Sequence, residues 1–545
     1  MILKSAVKKI TDAFAESIYL KKIRRDIRKN TVYCPVSEIN IPHGFRRVKS
    51  PVNAQYIVTD SGLPHRFIKK SGQTVAVICS FAHTEFFGEF QRTILTADYL
   101  VCPENQNSEM LLGEFEVKGI FKGQVIHGYD EKLFENIING RYKENAYKKS
   151  RKNVLIYSGS LAQNGLTASL LNLLSCLKDD TDTDYMIAYR ENSLKNSPER
   201  LQKIPGQFRR VPVAGEFCPS VSELICYILY FKFNISWKPV SERLDRFFKR
   251  EWRRLFGGID IDTAIQFSGY EYGVIKLFEQ FDGKRIIFVH NDMVSEIKYR
   301  HNQHLLTLRK AYRSYDTVAL VTDDMRESTL EISGTDKNMT VIPNCHDYKS
   351  VIEKSLMPVE FQPETECNIS LDELTEMLDS NMDKFITIGR FSPEKAHLRL
   401  IDAFRDYCRL YPDRETCLII IGGRGELYEQ TVKYAEKTGL RIILIRSMEN
   451  PMPVLKKCSL FMLPSEYEGL GLVLLEADTL GIPVFATDIP GPRCFLKQYG
   501  GLLTENSREG VLKGMTYYNE GKIQPLNIDY EKYNKASAER FKNIL

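Results

Sequence analysis

Short apolar runs alternate with longer stretches of helical period over most of this 545-residue chain. In its middle part the runs are Val154–Tyr157, Ala264–Phe267, Arg285–Val289, Thr317–Thr322 and Met339–Ile342. In its last part they are Phe385–Ile388, Cys417–Ile421, Arg441–Ile445, Leu460–Leu463 and Pro483–Ala486. Runs this short and this apolar predict strands buried on both faces, and their alternation with helices predicts parallel sheets. The pattern predicts an α/β protein with two doubly wound Rossmann-like domains facing a cleft. A charged stretch from Arg141 to Lys152 sets off a first block, and an acidic, Pro-containing stretch from Pro358 to Asp383 separates the other two. The expected units are an N-terminal α/β accessory domain at 1–148, a second domain at 149–350, a linker at 351–380 and a third domain with a C-terminal tail at 381–545.

Composition narrows the class. A hydrophobic fraction of 43% and a charged fraction of 27% are those of a soluble globular protein. The net charge of +5 is too mild to imply nucleic-acid binding. The cysteines are scattered without C-x-x-C or metal-ligand spacing, which fits a reducing cytoplasm and predicts no metal site. Neither a secretory h-region nor an apolar run of roughly 18 residues is present, so a cytoplasmic protein is expected. Two stretches add a membrane to that expectation. Residues 1–30 are rich in Lys and Arg, and Leu3, Val7, Ile10, Phe14 and Ile18 recur at helical spacing. From Ser241 to Phe256, Arg243, Arg246, Lys249, Arg250, Arg253 and Arg254 flank Leu244, Phe247, Phe248, Trp252 and Leu255. Each reads either as a basic amphipathic helix that anionic lipid attracts, at roughly 1 kcal/mol per basic residue near the surface, or as an ordinary solvated helix face.

Candidate chemistry concentrates after the strands. Pro464 to Ala477 follows a buried strand and opens a helix, with Glu468 and Glu476 eight positions apart. Gly469 and Gly471 let the backbone approach a ligand, and the two carboxylates can accept from ribose and hexose hydroxyls. Ile388-Gly389-Arg390-Phe391-Ser392-Pro393-Glu394-Lys395 predicts a Ser-capped helix start flanked by two cations, suited to a phosphate. Asn164-Gly165 follows the first strand of the second domain, and His290 ends another strand at the expected cleft. Gly422-Gly423-Arg424-Gly425 lacks the G-x-G-x-x-G spacing of a dinucleotide site. Asp180-Thr181-Asp182 lies in a polar run and reads as a solvated loop, not a cation site.

These segments, in this order, resemble the retaining GT-B glycosyltransferases of group 1, which carry an E-x7-E motif and use nucleotide sugars. The resemblance implies that Arg390 and Lys395 grip the donor diphosphate, that Glu468 accepts from the donor sugar, and that Glu476 accepts from the ribose. It places His290 among the catalytic residues, and Gly165, Gly389, Gly423, Asn450, Gly469, Leu470 and Gly471 around the nucleotide sugar. It implies no cofactor and no metal, a hexose donor that is a UDP-sugar, and a glycopolymer or lipid-linked acceptor such as teichoic acid or capsule. Ile342-Pro343-Asn344-Cys345-His346-Asp347 resembles the family's I-P-N-G-x-D turn, with Cys345 in place of the usual Gly. Residues 91–129 resemble part of the CDP-glycerol glycerophosphotransferases of teichoic acid synthesis, with Ala82-His83-Thr84 standing where those enzymes carry His-Gly-Thr. The first block is accordingly expected to recognise acceptor or dock on membrane. A sugar-nucleotide epimerase and a non-catalytic binding scaffold are the alternatives.

Overall fold

The computed structural model describes all residues except 1, 37–38, 40, 80–86, 103–107, 116, 118–120, 128–132, 139–150, 163, 195–196, 214–215 and 424. His83 and much of the polar boundary before 151 therefore lie outside the described residues. Three sheets follow one another along the chain. In the first, β1 (Arg28–Tyr33), β2 (Arg46–Arg47), β3 (Ala54–Thr59), β4 (Thr74–Ile78), β5 (Tyr99–Cys102) and β6 (Gln124–His127) run in the order β2-β1-β3-β4-β5-β6. All its pairs are parallel.

The second sheet holds β7 (Lys152–Tyr157), β8 (Thr183–Arg190), β9 (Arg209–Val213), β10 (Thr263–Gln266), β11 (Lys284–Val289), β12 (Thr317–Leu320) and β13 (Met339–Val341). Its order, β13-β12-β11-β10-β7-β8-β9, reverses direction between β7 and β10. The third holds β14 (Glu366–Cys367), β15 (Asp383–Ile388), β16 (Thr416–Gly422), β17 (Ile442–Arg446), β18 (Leu460–Leu463), β19 (Val484–Thr487) and β20 (Leu502–Thr504). Its order is β14-β17-β16-β15-β18-β19-β20, and only the edge strand β14 runs antiparallel. Both doubly wound sheets are thus as expected, and β8, β9, β14 and β20, which were not among the expected strands, extend them. Pro212 is tolerated because β9 is an edge strand.

Alternation explains the third core. Ile386, Ile419, Ile443 and Phe461 enter one apolar layer while Phe385, Leu418, Leu444 and Leu460 enter the other. Sheets one and two instead share a continuous core across the helix Phe87–Thr96. There Gln91 Nε2 donates to Phe115 O at 3.0 Å and to Arg210 O at 3.1 Å, tying the first unit to β9. Arg92 is buried and donates to the carbonyls of Leu63, Pro64 and Phe67. Gln91 and Arg92 of the segment that resembles the glycerophosphotransferases are therefore engaged inside the fold, while its residues 118–120 lie outside the described residues. The expected linker contributes the helix Leu371–Asp379 and β14 to the third unit. The last helix, Tyr530–Asn543, crosses back to the second sheet, where Phe541 is fully buried and Lys542 meets Asp180 at 3.2 Å.

The expectation for Ser241–Phe256 is corrected. The stretch lies in the helix Lys238–Phe256, whose Leu244, Phe247, Phe248, Trp252 and Leu255 fill the core instead of facing lipid. Its Arg254 and Glu251 form a buried ion pair at 2.8 Å, with Arg254 also donating to the carbonyls of His65 and Glu216. Arg254→Ala would leave the buried Glu251 carboxylate only Cys218 N, donating at 3.1 Å, and Arg250 at 4.0 Å, so a loss of up to about 3–5 kcal/mol is expected in chemical denaturation. Among the described residues no helix is long and apolar enough to cross a membrane.

Candidate functional site

The third sheet changes direction between β15 and β18, and a crevice opens at the carboxyl ends of strands at such a point. The loops that leave these two strands carry the charged residues singled out in the sequence. After β15 the chain makes a single 3-10 turn, Pro393–Lys395, and then breaks at Ala396, which has φ 51°. The helix begins only at His397. This corrects the expected Ser392-capped helix start: Ser392 Oγ donates to Glu394 Oε1 at 2.7 Å and caps no backbone amide. The left-handed Ala396 lets Lys395 turn back across Gly389, where an added Cβ would stand 3.1 Å from the lysine Cδ.

Lys395 Nζ donates to both oxygens of Glu468, at 2.6 and 2.8 Å, and both side chains are largely shielded from water. Arg390 Nη2 donates to Glu394 Oε1 at 2.8 Å while its own side chain stays 48% exposed. Burial works against the Glu394 carboxylate. Ser392 Oγ, Arg390 and Arg300 outweigh that effect and hold the carboxyl below its usual range. The resting site thus holds two cations, each balanced by a carboxylate that an incoming anion can displace.

Beyond Gly471, which takes φ 77° as the residue before the helix Leu472–Thr479, Glu476 points from the second turn. Among the described residues none donates to its carboxyl. Withdrawal from water pushes that group up to about 7, and Lys354 is the cation opposing the shift. A carboxyl without protein donors in a site of this kind is a ready acceptor for vicinal hydroxyls.

The second sheet meets this cluster through β11. His290 Nε2 lies 2.8 Å from Phe267 O, so it carries the proton, and Nδ1 is a buried acceptor with no partner. Burial against Phe288 and Phe267 pushes the ring down to about 4, keeping it neutral at pH 7. Its carbonyl touches Gly469, where any Cβ would collide with it. Around this contact Tyr299 stacks on Tyr467 at 5.9 Å, Arg300 Nη1 stands 3.7 Å from Glu394, and Cys494 N donates to Asp324 Oδ2 at 2.9 Å. Gly469→Ala is therefore expected to hold the two domains apart while each stays folded. A larger radius of gyration in small-angle scattering, with thermal unfolding little changed, would be its signature.

The other predicted positions are less tightly gathered. Gly389 backs Lys395, and Leu470 is buried in the third core. Gly165 opens a helix behind the cap Asn164, and Gly423 follows β16; the space where each would carry a Cβ is open. Asn450 accepts from Met452 N and donates to Lys354 O, so it shapes the turn beside the linker. Asp180 accepts from Tyr185 and Asp182 N and pairs with Lys542, consistent with a structural loop. Cys345 packs its turn on the helix Gly165–Leu177, with its carbonyl accepting from Asn172 Nδ2 and Asn344 Oδ1 accepting from Ser169. Arg300, Glu394 and Tyr467 had not been singled out as site residues. Glu394 and Tyr467 lie inside the two motifs, whereas Arg300 sits in an irregular turn with no sequence signal.

Residues 376–535 match the family model described as glycosyl transferases group 1. The chain is 31% identical over 159 residues to the UDP-Gal:alpha-D-GlcNAc-diphosphoundecaprenol alpha-1,3-galactosyltransferase of Escherichia coli, covering 28% of this chain and 40% of that protein. It is 21% identical over 325 residues to the N-acetylgalactosamine-N,N'-diacetylbacillosaminyl-diphospho-undecaprenol 4-alpha-N-acetylgalactosaminyltransferase of Campylobacter jejuni, covering 56% of this chain and 81% of that one. The chain spans half or less of the length of several other curated relatives. The sucrose-phosphate synthase structure from Thermosynechococcus elongatus superposes with a TM-score of 0.52 at 15% identity, covering 72% of this chain and 98% of that one. Residues 376–535 are thus similar to the group 1 glycosyltransferases, within a chain whose fold is of the GT-B type.

Proposed function

We propose that this protein is a retaining glycosyltransferase that moves a hexose from a UDP-sugar to a lipid-linked or cell-envelope glycopolymer acceptor of the teichoic acid or capsule kind. The observation that carries the reading is the cluster Arg390, Lys395, Glu468 and Glu476 at the switch point of the third sheet, closed by His290 from the second. The donor diphosphate draws Lys395 from Glu468 and Arg390 from Glu394, because two phosphate charges outcompete one carboxylate. Glu468, released, accepts from the donor-sugar hydroxyls, His290 Nδ1 takes a further hydroxyl, and Glu476 accepts from the ribose. As the glycosidic bond to the diphosphate breaks, negative charge grows on the leaving oxygen, and Lys395 and Arg390 stabilise it without a metal. A donor phosphate oxygen takes the acceptor proton on the face the nucleotide leaves, which retains the anomeric configuration. Glu468, engaged with the donor-sugar hydroxyls, serves as a frame and not as a nucleophile.

The E. coli relative's name specifies a UDP-galactose donor and a diphosphoundecaprenol-linked acceptor, which supports the same classes here. A lipid-borne acceptor would set the enzyme to work at the inner, anionic face of a membrane. Incubation with UDP-, GDP- and ADP-sugars, with and without a polyprenyl-diphosphate sugar, tests the reading through released nucleotide and the anomer of the product. UDP release that requires acceptor and an α-linked product from an α-linked donor are expected, unchanged by a chelator. Nucleotide binding without transfer would favour a scaffold, and acceptor-independent conversion of the sugar an epimerase.

A further inference from the structure

The first helix, Ile2–Ile23, is packed with its polarity reversed. Glu16 is buried, 3.5 Å from Arg66 and 3.6 Å from Arg250, and Ala13 is buried beside it. Ile10, Phe14 and Ile18 form an i, i+4, i+8 stripe on the opposite side and are 51%, 58% and 58% exposed. The neighbouring helix Val221–Phe233 repeats the arrangement. Its Glu223 also turns inward to Arg250, at 2.7 Å, while Ile225 and Ile228 face outward. Ser17 Oγ accepts from Val221 N at 3.0 Å, so the two helices lie against one another. Both acids converge on the same arginine, and each apolar stripe lies on the side of its own helix away from that acid. Trp237, 73% exposed, stands at the end of this surface where the chain turns into the next helix.

Each stripe runs into lysine at the next helical step. Lys21 and Lys22 continue Ile10, Phe14 and Ile18, Lys232 continues Ile225 and Ile228, and all three lysines are exposed. Lys8, Lys9 and Lys238 add positive charge at the other margins. Isolated exposed apolar residues need no explanation, but two stripes on touching helices, each with a glutamate turned inward, do. Large aliphatic and aromatic side chains rimmed by long cations suit a layer that is apolar inside and anionic outside, with lysine stems reaching up to its headgroups. We propose that the helices Ile2–Ile23 and Val221–Phe233 together dock this protein on an anionic lipid bilayer, inserting Phe14, Ile18, Ile225 and Trp237 beneath the headgroups. Since Val221–Phe233 belongs to the second unit, the docked surface puts the domain facing the acceptor nearest the membrane.

The proposal rests on the transferase reading only for its purpose, because docking is measured with no sugar nucleotide present. Full-length protein is mixed with phosphatidylcholine vesicles, with or without phosphatidylglycerol, and sedimented. Binding to the anionic vesicles alone is expected, with a blue shift of Trp237 emission, since the other tryptophan, Trp252, is already buried. The double variant Phe14→Ser/Ile225→Ser and the charge variant Lys21→Glu/Lys22→Glu are each expected to bind roughly tenfold more weakly or worse. Their melting temperatures and their release of UDP with a soluble acceptor should match the parent, because these side chains are exposed. Trp237→Phe should keep binding and lose the shift. Equal binding by parent and variants, no binding to anionic vesicles, or self-association abolished by Phe14→Ser/Ile225→Ser would overturn the proposal, the last by making a second copy the occupant. Vesicle binding without transfer would leave docking standing and remove the enzymatic reading.

Discussion

Lys395→Ala is expected to lower turnover about a hundredfold or more while leaving the protein folded, the size of effect seen when one preorganised charge is taken from a developing anion. Lys395 is the cation positioned most firmly in the site, with its stem laid across Gly389 and its ammonium on Glu468. The variant leaves Glu468 without a counter-ion, and that confounds a single substitution. A Lys395→Ala/Glu468→Ala pair separates the two effects. If the lysine acts on the phosphate, the double variant is much slower than Glu468→Ala alone. If it merely neutralises Glu468, the double variant is no slower than Glu468→Ala. Melting temperatures of all these proteins give the stability control, and a double variant as fast as Glu468→Ala would refute the phosphate role.

The second large effect belongs to Glu476. Its carboxyl titrates at about 7 in the folded protein against an ordinary value of 4.5, so between these values the folded state holds a proton that the unfolded state has lost. Stability of the ligand-free protein therefore falls as pH rises from about 4.5 to about 7 and levels off above. Glu476→Gln removes this dependence and should melt higher than the parent at pH 8, with the difference vanishing near pH 4. Donor binding runs the other way. The ionised carboxylate is the better acceptor for ribose hydroxyls, so parental affinity for the nucleotide sugar should rise as pH increases through about 7. Glu476→Gln should bind weakly with a flat profile, at a cost of about 1.5–3 kcal/mol for bonds to a charged group. Glu476→Ala should cost about a hundredfold in turnover. Calorimetric titration across pH 5.5–8.5 reads both trends, and a variant that binds donor as tightly as the parent would remove Glu476 from the ribose.

Most strands of the two larger sheets were legible because parallel strands are covered on both faces, and Phe385-Ile386 or Leu418-Ile419-Ile420 announce that by being apolar without alternation. The motif after β18 was legible for a related reason. A doubly wound sheet sends every strand's carboxyl end to one edge, so a strand followed by Gly and Glu suffices to place a carboxylate in the crevice. The edge strands β9, β14 and β20 are short or interrupted by Pro, and their pairing depends on neighbours remote in the chain. The break at Ala396 carries no signal either, since alanine is the strongest of helix formers and takes φ 51° only because the surrounding packing imposes it.

The sequence by itself determined the fold class and the local segments that bear Arg390, Lys395, Glu468, Glu476 and His290, because each depends on periodicity or on residues adjacent in the chain. The tertiary structure decided how those residues meet. Lys395 and Glu468 are 73 positions apart, and His290 and Gly469 come from different sheets, so their contacts follow from long-range packing. It also decided which amphipathic helix is covered. A pattern of apolar positions shows that a helix has an apolar face, and only the surrounding fold determines whether that face enters the core, as Phe247 and Trp252 do, or stays in water, as Phe14 and Ile18 do.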